Sequence, residues 1–344
     1  MAYEVTIGIP VYNVEKYIRQ TLDSALEQTF PNIEFLICDD CGTDSSISIV
    51  KEYQLQHPRG KDIRIVKQPK NGGVGAARNR IIDEAKGSFL FFMDSDDSIE
   101  PCTIELLVEH QRRTNADIVF GSYDKIETYN NNKVIESYQY PFVELNGEDQ
   151  LAGYAYRTYG CFQASSCNFL ISVTFLRSAN LRFIKANYWE DMAFMFELVT
   201  YCRHAVLLPN ITYHYMCRYN SLSNYQQRAT IRKKEIQQNI ATVEWIKGCC
   251  TKTKDRIFQP QRCNIVMMTD FYVLCNILKN KKKLDCPFTL AEMKNIMRHP
   301  MTLSEIWKMK TLRIHNLVFY MLGVLPSFLS VMLVFCAGKY KKLI

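Results

Sequence analysis

The first 125 residues alternate between two kinds of segment. Short runs of β-branched and aromatic residues at 5–10, 33–38, 63–67, 89–93 and 118–121 predict strands. Between them, apolar residues at helical spacing predict helices over 14–28, 45–56, 75–85 and 102–114. Repetition of strand and helix predicts right-handed crossovers and an α/β fold, a mainly parallel sheet flanked by helices. Ligands of such sheets bind beyond the carboxyl ends of the strands. Two acidic loops fall on that rim: Asp39-Asp40-Cys41-Gly42-Thr43-Asp44 after the second strand and Asp94-Ser95-Asp96-Asp97 after the fourth. Carboxylates crowded on neighbouring loops repel one another unless a cation or hydrogen-bond donors lie between them.

Composition changes the picture in two ways. With 344 residues, 47% apolar and 22% charged, the chain is long and apolar enough for a sizeable core, which excludes disorder. The net +7 is unevenly divided: residues 1–224 carry 21 Lys and Arg against 28 Asp and Glu, whereas residues 225–344 carry 21 against 7. An acidic first part followed by a basic region predicts two parts with different partners. The 13 cysteines are odd in number and lack the paired spacing of a disulfide framework, and no charged-then-apolar segment opens the chain. A reducing, cytoplasmic setting is therefore expected. Cys38 and Cys41 have the spacing of a redox pair, but no second pair at zinc spacing accompanies them and two carboxylates lie between the thiols.

Asp94-x-Asp96-Asp97 at the mouth of a strand is the partial cage that Mg²⁺ or Mn²⁺ takes when substrate phosphates supply its remaining ligands. A calcium loop is the competing arrangement; it fails because Ile99 stands where the sharp turn needs glycine and because the preceding segment reads as a buried strand. A plain helix cap after Pro101 also fits these residue types. The run Asn71-Gly72-Gly73-Val74-Gly75-Ala76-Ala77-Arg78-Asn79 leads into a helix, where glycines and a helix N-terminus favour an anion. It is superficially similar to a dinucleotide fingerprint, but Arg78 occupies the third small position and the motif follows the third strand, so a nicotinamide dehydrogenase is a weak alternative, and a P-loop kinase is weaker still because no P-loop sequence occurs.

Taken together, Ile9-Pro10-Val11-Tyr12-Asn13, the Asp39–Asp44 loop, Asn71-Gly72-Gly73 with Ala77-Arg78-Asn79, and Asp94-Ser95-Asp96-Asp97 closely resemble the signature of family 2 inverting glycosyltransferases of the GT-A fold, of the bacterial polysaccharide-biosynthesis type. The resemblance covers residues 4–223, with Cys41 in place of the family's usual glycine, a departure expected to be tolerated in a loop. It implies a GT-A catalytic domain over 1–224, with a nucleotide-sugar half over 1–125 and an acceptor half over 126–224. By the same resemblance Pro10, Tyr12 and Asn13 border the nucleotide, Asp40 meets the pyrimidine edge, and Asn71, Gly73, Ser95 and Arg78 approach the nucleotide or diphosphate. Asp94 and Asp96 serve the ribose and the metal, Asp97 completes the acidic cluster as a further metal ligand, and His214 approaches the metal. The pair Glu190-Asp191 matches the family's catalytic acidic pair, with Asp191 as the base that takes the acceptor's proton and Trp189 and Glu190 on the acceptor side. Read alone, the same pair is an acidic start to a helix. Arg218, in the segment from His214 to Ser223, is expected to pair with phosphate, and Ser166, Asn168 and Phe183 to border the acceptor.

The implied activity is transfer of a hexose from a nucleotide-diphosphate sugar, UDP-linked in expectation, to a glycan or lipid-linked saccharide. A catalytically inactive nucleotide-binding scaffold and a nucleotidyltransferase remain as alternatives. Beyond 224 the chain reads as basic helices with clusters at Arg232-Lys233-Lys234 and Lys281-Lys282-Lys283. Residues 317–338 form an uncharged run broken near its middle by Pro326, with Arg313 before it and Lys339, Lys341 and Lys342 after it. Positive charge on both flanks predicts a shallow or re-entrant anchor at the cytoplasmic face of the inner membrane, with both ends in the cytosol, rather than a simple span; a buried helix pair is the alternative, and no nucleic-acid-binding fold is indicated.

Overall fold

The computed structural model describes residues 3–128, 132–159, 162, 165–186, 188–218 and 229–344. The chain divides into two compact units, Met1–Leu151 with Gln163–Ser221, and Ala152–Phe162 with Leu222–Ile344.

The first unit opens with strand and helix in alternation: β1 (Val5–Val11), α1 (Ile18–Leu26), β2 (Ile33–Asp39), α2 (Ser46–Gln56), β3 (Ile63–Lys67), α3 (Val74–Glu84) and β4 (Phe89–Phe92). It continues through β5 (Ser98–Ile99), α4 (Thr103–Thr114), β6 (Ile118–Glu127), β7 (Lys133–Tyr138) and β8 (Val143–Asn146). After α5 (Gln150–Thr158), most of which belongs to the second unit, come β9 (Phe169–Ser172), α6 (Val173–Ser178), α7 (Glu190–Tyr201) and β10 (His204–Cys217). The sheet runs β3-β2-β1-β4-β9-β6-β10-β5, with β7 beside β6 and β8 beside β10. Strands β3, β2, β1 and β4 are mutually parallel, as the sequence pattern predicts. Beyond β4 the sheet is mixed, since β9 lies antiparallel between β4 and β6 while β10 returns parallel to β6.

Strands β1 and β2 are buried along their whole length, which is why they read as continuous apolar runs. The exception is Glu34, whose buried carboxylate accepts from Arg64 Nε (2.7 Å), Thr6 Oγ1 (2.8 Å) and the Lys86 amide (3.0 Å). Helix α1 buries Ile18, Thr21, Leu22, Ala25 and Leu26, one stripe at helical spacing. The predicted first turn of that helix, from residue 14, is turn structure instead, and the helix begins at Ile18.

A polar clamp holds the mixed half together where the pairing of β10 with β6 shifts register after Leu207. Asn168, itself left-handed at φ 67°, donates to the carbonyls of Gly121 (2.7 Å) and Ser122 (3.0 Å), and its Oδ1 accepts from Thr212 Oγ1 (2.5 Å). Asn168, expected to border the acceptor, is thus buried with both ends of its amide engaged. Gly121 is glycine for space: a Cβ there would lie 1.9 Å from Thr212 Oγ1.

The second unit is helical: α8 (Lys233–Thr251), α9 (Gln259–Lys279), α10 (Leu290–Ile296), α11 (Leu303–Trp307), α12 (Arg313–Val324) and α13 (Ser327–Tyr340). Its interior includes a buried ion pair between Lys247 and Asp270 (2.6 Å) and a buried His299–Asn316 contact (3.1 Å). Residues 317–338 are not one helix; the chain breaks at Leu325-Pro326, and no helix among the described residues is long and apolar enough to cross a membrane.

The clamp around Asn168 leads to a stability prediction. Gly121→Ala forces Thr212 aside and is expected to destabilise the protein by about 1–3 kcal/mol in a urea titration. A midpoint unchanged from wild type would show that the clamp relaxes freely.

Candidate active site

The carboxyl ends of β1, β2 and β4, the first turn of α3 and the first turn of α7 meet on one rim of the sheet. At its centre is Arg78, only 2% exposed, on α3. Its Nη2 donates to Asp94 Oδ1 (2.7 Å), and its Nη1 donates to Glu190 Oε1 (3.1 Å) and to Asp191 Oδ1. The guanidinium also lies over the Phe183 ring, 5.4 Å from its centroid. Phe183, expected to border the acceptor, stacks flat on Phe194 at 4.0 Å and is buried, so it supports Arg78 from below. The resemblance implies that Arg78 contacts the nucleotide or diphosphate; here its two terminal nitrogens are taken up by carboxylates from the loop after β4 and from α7. Burial alone would lower its pKa, but Asp191 and Asp94 hold the guanidinium firmly charged.

Asp191 starts α7, where the helix dipole favours a carboxylate. Its Oδ1 also accepts from Ser166 Oγ (2.9 Å), a fully buried hydroxyl. Poor hydration pushes Asp191 up to about 7 against the pull of Arg78, and Glu190 and Asp94 add to the rise. Trp189 caps α7 in the left-handed region at φ 63°, a costly conformation for a bulky side chain, and sets the angle at which the acidic pair enters the site.

The acidic loop after β4 divides its labour. Asp94 is held by Arg78, and its amide donates to Tyr213 Oη (3.1 Å). Asp97 is buried, and both of its oxygens are engaged: Oδ2 accepts from Tyr213 Oη (2.7 Å) and Oδ1 from the Met216 amide (2.8 Å). Burial, with Asp94 nearby, pushes Asp97 up to about 8. Expected as a metal ligand, Asp97 serves here to tie the loop to β10. Asp96 pairs with Arg218, which lies over the Tyr17 ring at 4.1 Å. His214, the other expected ligand, pairs through Nε2 with Glu100 (2.7 Å), and its buried Nδ1 has no partner among the described residues. Ser95 is buried between the two aspartates. The Ser221 and Ser223 positions lie outside the described residues.

Beyond the carboxyl end of β2, Asp40 is buried and receives the amides of Gly72 (2.8 Å) and Gly73 (2.9 Å), while Asn71 Nδ2 donates to its carbonyl (3.1 Å). Gly73 has φ 83°, a left-handed position that glycine adopts without strain. Pro10 is buried in β1, Tyr12 is half exposed beyond it, and Asn13 Oδ1 accepts from the Thr43 amide (2.7 Å). Cys41 also stands in the left-handed region, at φ 61°, so the family's glycine is replaced where the backbone makes glycine the easiest choice. A cleft of about 390 Å³ opens here, lined by Val11, Asn13, Asp39, Gly42, Lys51 and Lys67.

The site gathers five carboxylates (Asp94, Asp96, Asp97, Glu190 and Asp191) around two guanidiniums. Among the described residues no three His, Cys, Asp or Glu converge as a complete ligand set. Asp94 and Asp96 each keep one carboxylate oxygen outside their arginine contact, two hard donors of the kind that Mg²⁺ or Mn²⁺ shares with phosphate oxygens. Tyr213, Ser166 and Tyr17 complete the constellation. The sequence gives no local sign of Tyr213 or Tyr17, which look like ordinary aromatic positions on a strand and at a helix start.

The model of the family described as "Glycosyl transferase family 2" matches residues 6–177. Glycosyltransferase GlyA of Streptococcus pneumoniae is 40% identical over 120 residues, 35% of this chain and 17% of that protein. Glycosyltransferase GlyG of the same organism is 34% identical over 36% of this chain and 40% of its own length, so the matches span less than half of either relative. Putative glycosyltransferase EpsH of Bacillus subtilis is 30% identical over 65% of this chain and 64% of its length. Among solved structures, S. aureus TarS 1–349 in complex with UDP-GlcNAc superposes with a TM-score of 0.65 over 99% of this chain and 92% of that one, at 16% identity, a likeness of fold.

Arg78→Met leaves Asp94, Glu190 and Asp191 without their counter-ion and is expected to cost about 3–5 kcal/mol at pH 8. The folded-state pKa of Asp191 is already raised, so the folded form binds protons more readily than the unfolded one, and unpaired carboxylates bind them more readily still. The deficit of the variant is therefore expected to shrink as the pH falls to 5, read by urea denaturation at both pH values. A deficit that is the same at both would mean that the arginine acts by packing alone.

Proposed function

The chain belongs to glycosyl transferase family 2, and we propose that it moves one sugar, with inversion at the anomeric carbon, from a nucleoside diphosphate sugar to a hydroxyl of a growing glycan. The observation that carries the reading is Asp191: a carboxylate at a helix start, steered by Ser166 and linked through Arg78 to the acidic loop after β4. UDP is the proposed nucleotide, on the support of the UDP-GlcNAc complex of TarS, whose fold is similar. The acceptor is proposed to be a lipid-linked saccharide at the cytoplasmic face of a membrane.

In this reading the acceptor hydroxyl gives its proton to Asp191 as its oxygen attacks the anomeric carbon. The bond from that carbon to the diphosphate oxygen breaks, and the nucleoside diphosphate leaves from the opposite face of the sugar. Arg78 holds base and acidic loop in fixed relation, so the donor and acceptor sides are aligned before either substrate arrives. Asp94 and Asp96 would hold a Mg²⁺ or Mn²⁺, whose chemistry is to neutralise the leaving diphosphate. Arg218 would exchange Asp96 for a phosphate oxygen, a bidentate partner that suits a guanidinium. The cleft lined by Asn13, Asp39 and Lys67 is of a size for the nucleobase.

Asp191→Asn is expected to lower transfer by about 10²–10⁴-fold while UDP binding, measured by calorimetry, stays within twofold. Retained turnover would remove Asp191 as the base. The base must be ionised, so transfer should rise with pH through a midpoint at about 7, the value to which Asp191 is raised. Ser166→Ala removes a hydrogen bond that favours the ionised form and is expected to move that midpoint upward. A midpoint that stays in place would sever Ser166 from the base.

A further inference from the structure

Helices α12 and α13 leave a large apolar face open. On α12, Ile314, Val318, Met321 and Val324 are 74%, 55%, 48% and 51% exposed and fall on one stripe at helical spacing. On α13, Phe328 (64% exposed), Leu329, Met332, Leu333 and Phe335 continue it. Apolar patches this extensive on a soluble surface mark an interaction site. The opposite faces are firmly seated within the helical unit: Asn316 donates to the carbonyls of Pro260 (3.2 Å) and Leu312 (3.0 Å) and meets His299 at 3.1 Å. Gly323 lies so close to the Met297 carbonyl that a Cβ would come within 2.6 Å of it. The open face is therefore not a loosely packed core; the two helices are fixed with their apolar sides outward.

What covers this face is indicated by charge. Lys308 and Lys310 precede the pair and Arg313 opens it, Lys339 lies in its last turn and Lys341 and Lys342 follow it, and all six are exposed. No Asp or Glu occurs between Ile306 and Ile344. An apolar stripe with cations on both flanks and no carboxylate complements a bilayer surface bearing anionic headgroups. At 1.5 Å per residue the helices are about 18 and 21 Å long, short of the roughly 30 Å of a bilayer core.

From this we infer that α12 and α13 together form a docking face for an anionic lipid bilayer, lying in the headgroup region with the six cations at the phosphates. The inference deepens the membrane-surface part of the proposed function by naming the residues and the lipid class. It does not depend on the catalytic reading.

The test is co-sedimentation of the full chain with vesicles of phosphatidylcholine alone or mixed with phosphatidylglycerol. Wild type is expected to bind the anionic vesicles at least tenfold more tightly and to lose most of that preference at high salt. Phe328→Glu with Met332→Glu should reduce binding at least tenfold. Lys339→Ser with Lys341→Ser and Lys342→Ser, which leaves the apolar face intact, should remove the preference for anionic lipid. Equal binding to both vesicles, or binding indifferent to the Phe328 and Met332 changes, overturns the proposal. It is also overturned if wild type is a dimer by light scattering that these two changes render monomeric, since a second copy then covers the face. Nucleotide release assayed on the same preparations separates the two readings: turnover without vesicle binding overturns the docking face alone, and vesicle binding without turnover supports it while removing the catalytic reading.

Discussion

A buried guanidinium surrounded by carboxylates is the constraint on which the site depends. Arg78 reaches Asp94 on the loop after β4 and the Glu190-Asp191 pair at the start of α7, segments about a hundred residues apart in the chain. Removing such a charge from water is costly, and the cost is met only if every partner stays in place. The interaction therefore works as a gauge of assembly, because the loop after β4 and the start of α7 occupy their positions together or not at all. The Phe183–Phe194 stack beneath it fixes the plane in which the guanidinium lies.

The same arrangement leaves the site short of positive charge. Asp97 and Asp191 are both raised toward neutrality or beyond, the response of carboxylates that lose hydration beside others of their kind. A metal-bound diphosphate would supply what is missing at Asp94 and Asp96, whereas Asp97 has no such need because Tyr213 and the Met216 amide already hold it. The carboxylate of Asp97 is thus set apart from those of Asp94 and Asp96, because it is the one that β10 engages at both oxygens.

Much of the first half of the fold was legible, because parallel strands covered on both faces produce unbroken apolar runs and their helices produce clear stripes. The mixed half was not: β5 has two residues, and β7 is exposed almost throughout, so neither leaves a hydrophobic signature. Asp94 and Asp96 could be placed at a strand mouth from spacing alone. Glu190 and Asp191 could not, since an acidic helix start is common, and only the agreement of several motifs with a family gave them a role. The carboxylate partners of Arg78 were not legible, for nothing local shows that a residue in the first turns of α3 faces a helix more than a hundred residues away. The buried contacts of Asn168 and Phe183 were hidden for the same reason, as their partners come from distant strands and helices.

The break at Pro326 determines what kind of attachment the helical unit could make. Two short helices seated on a folded scaffold can rest on a lipid surface and leave it without being unthreaded, so occupancy follows lipid area and ionic strength. An enzyme held in this manner looks for a lipid-borne acceptor within a plane instead of a volume, and can return to solution between encounters.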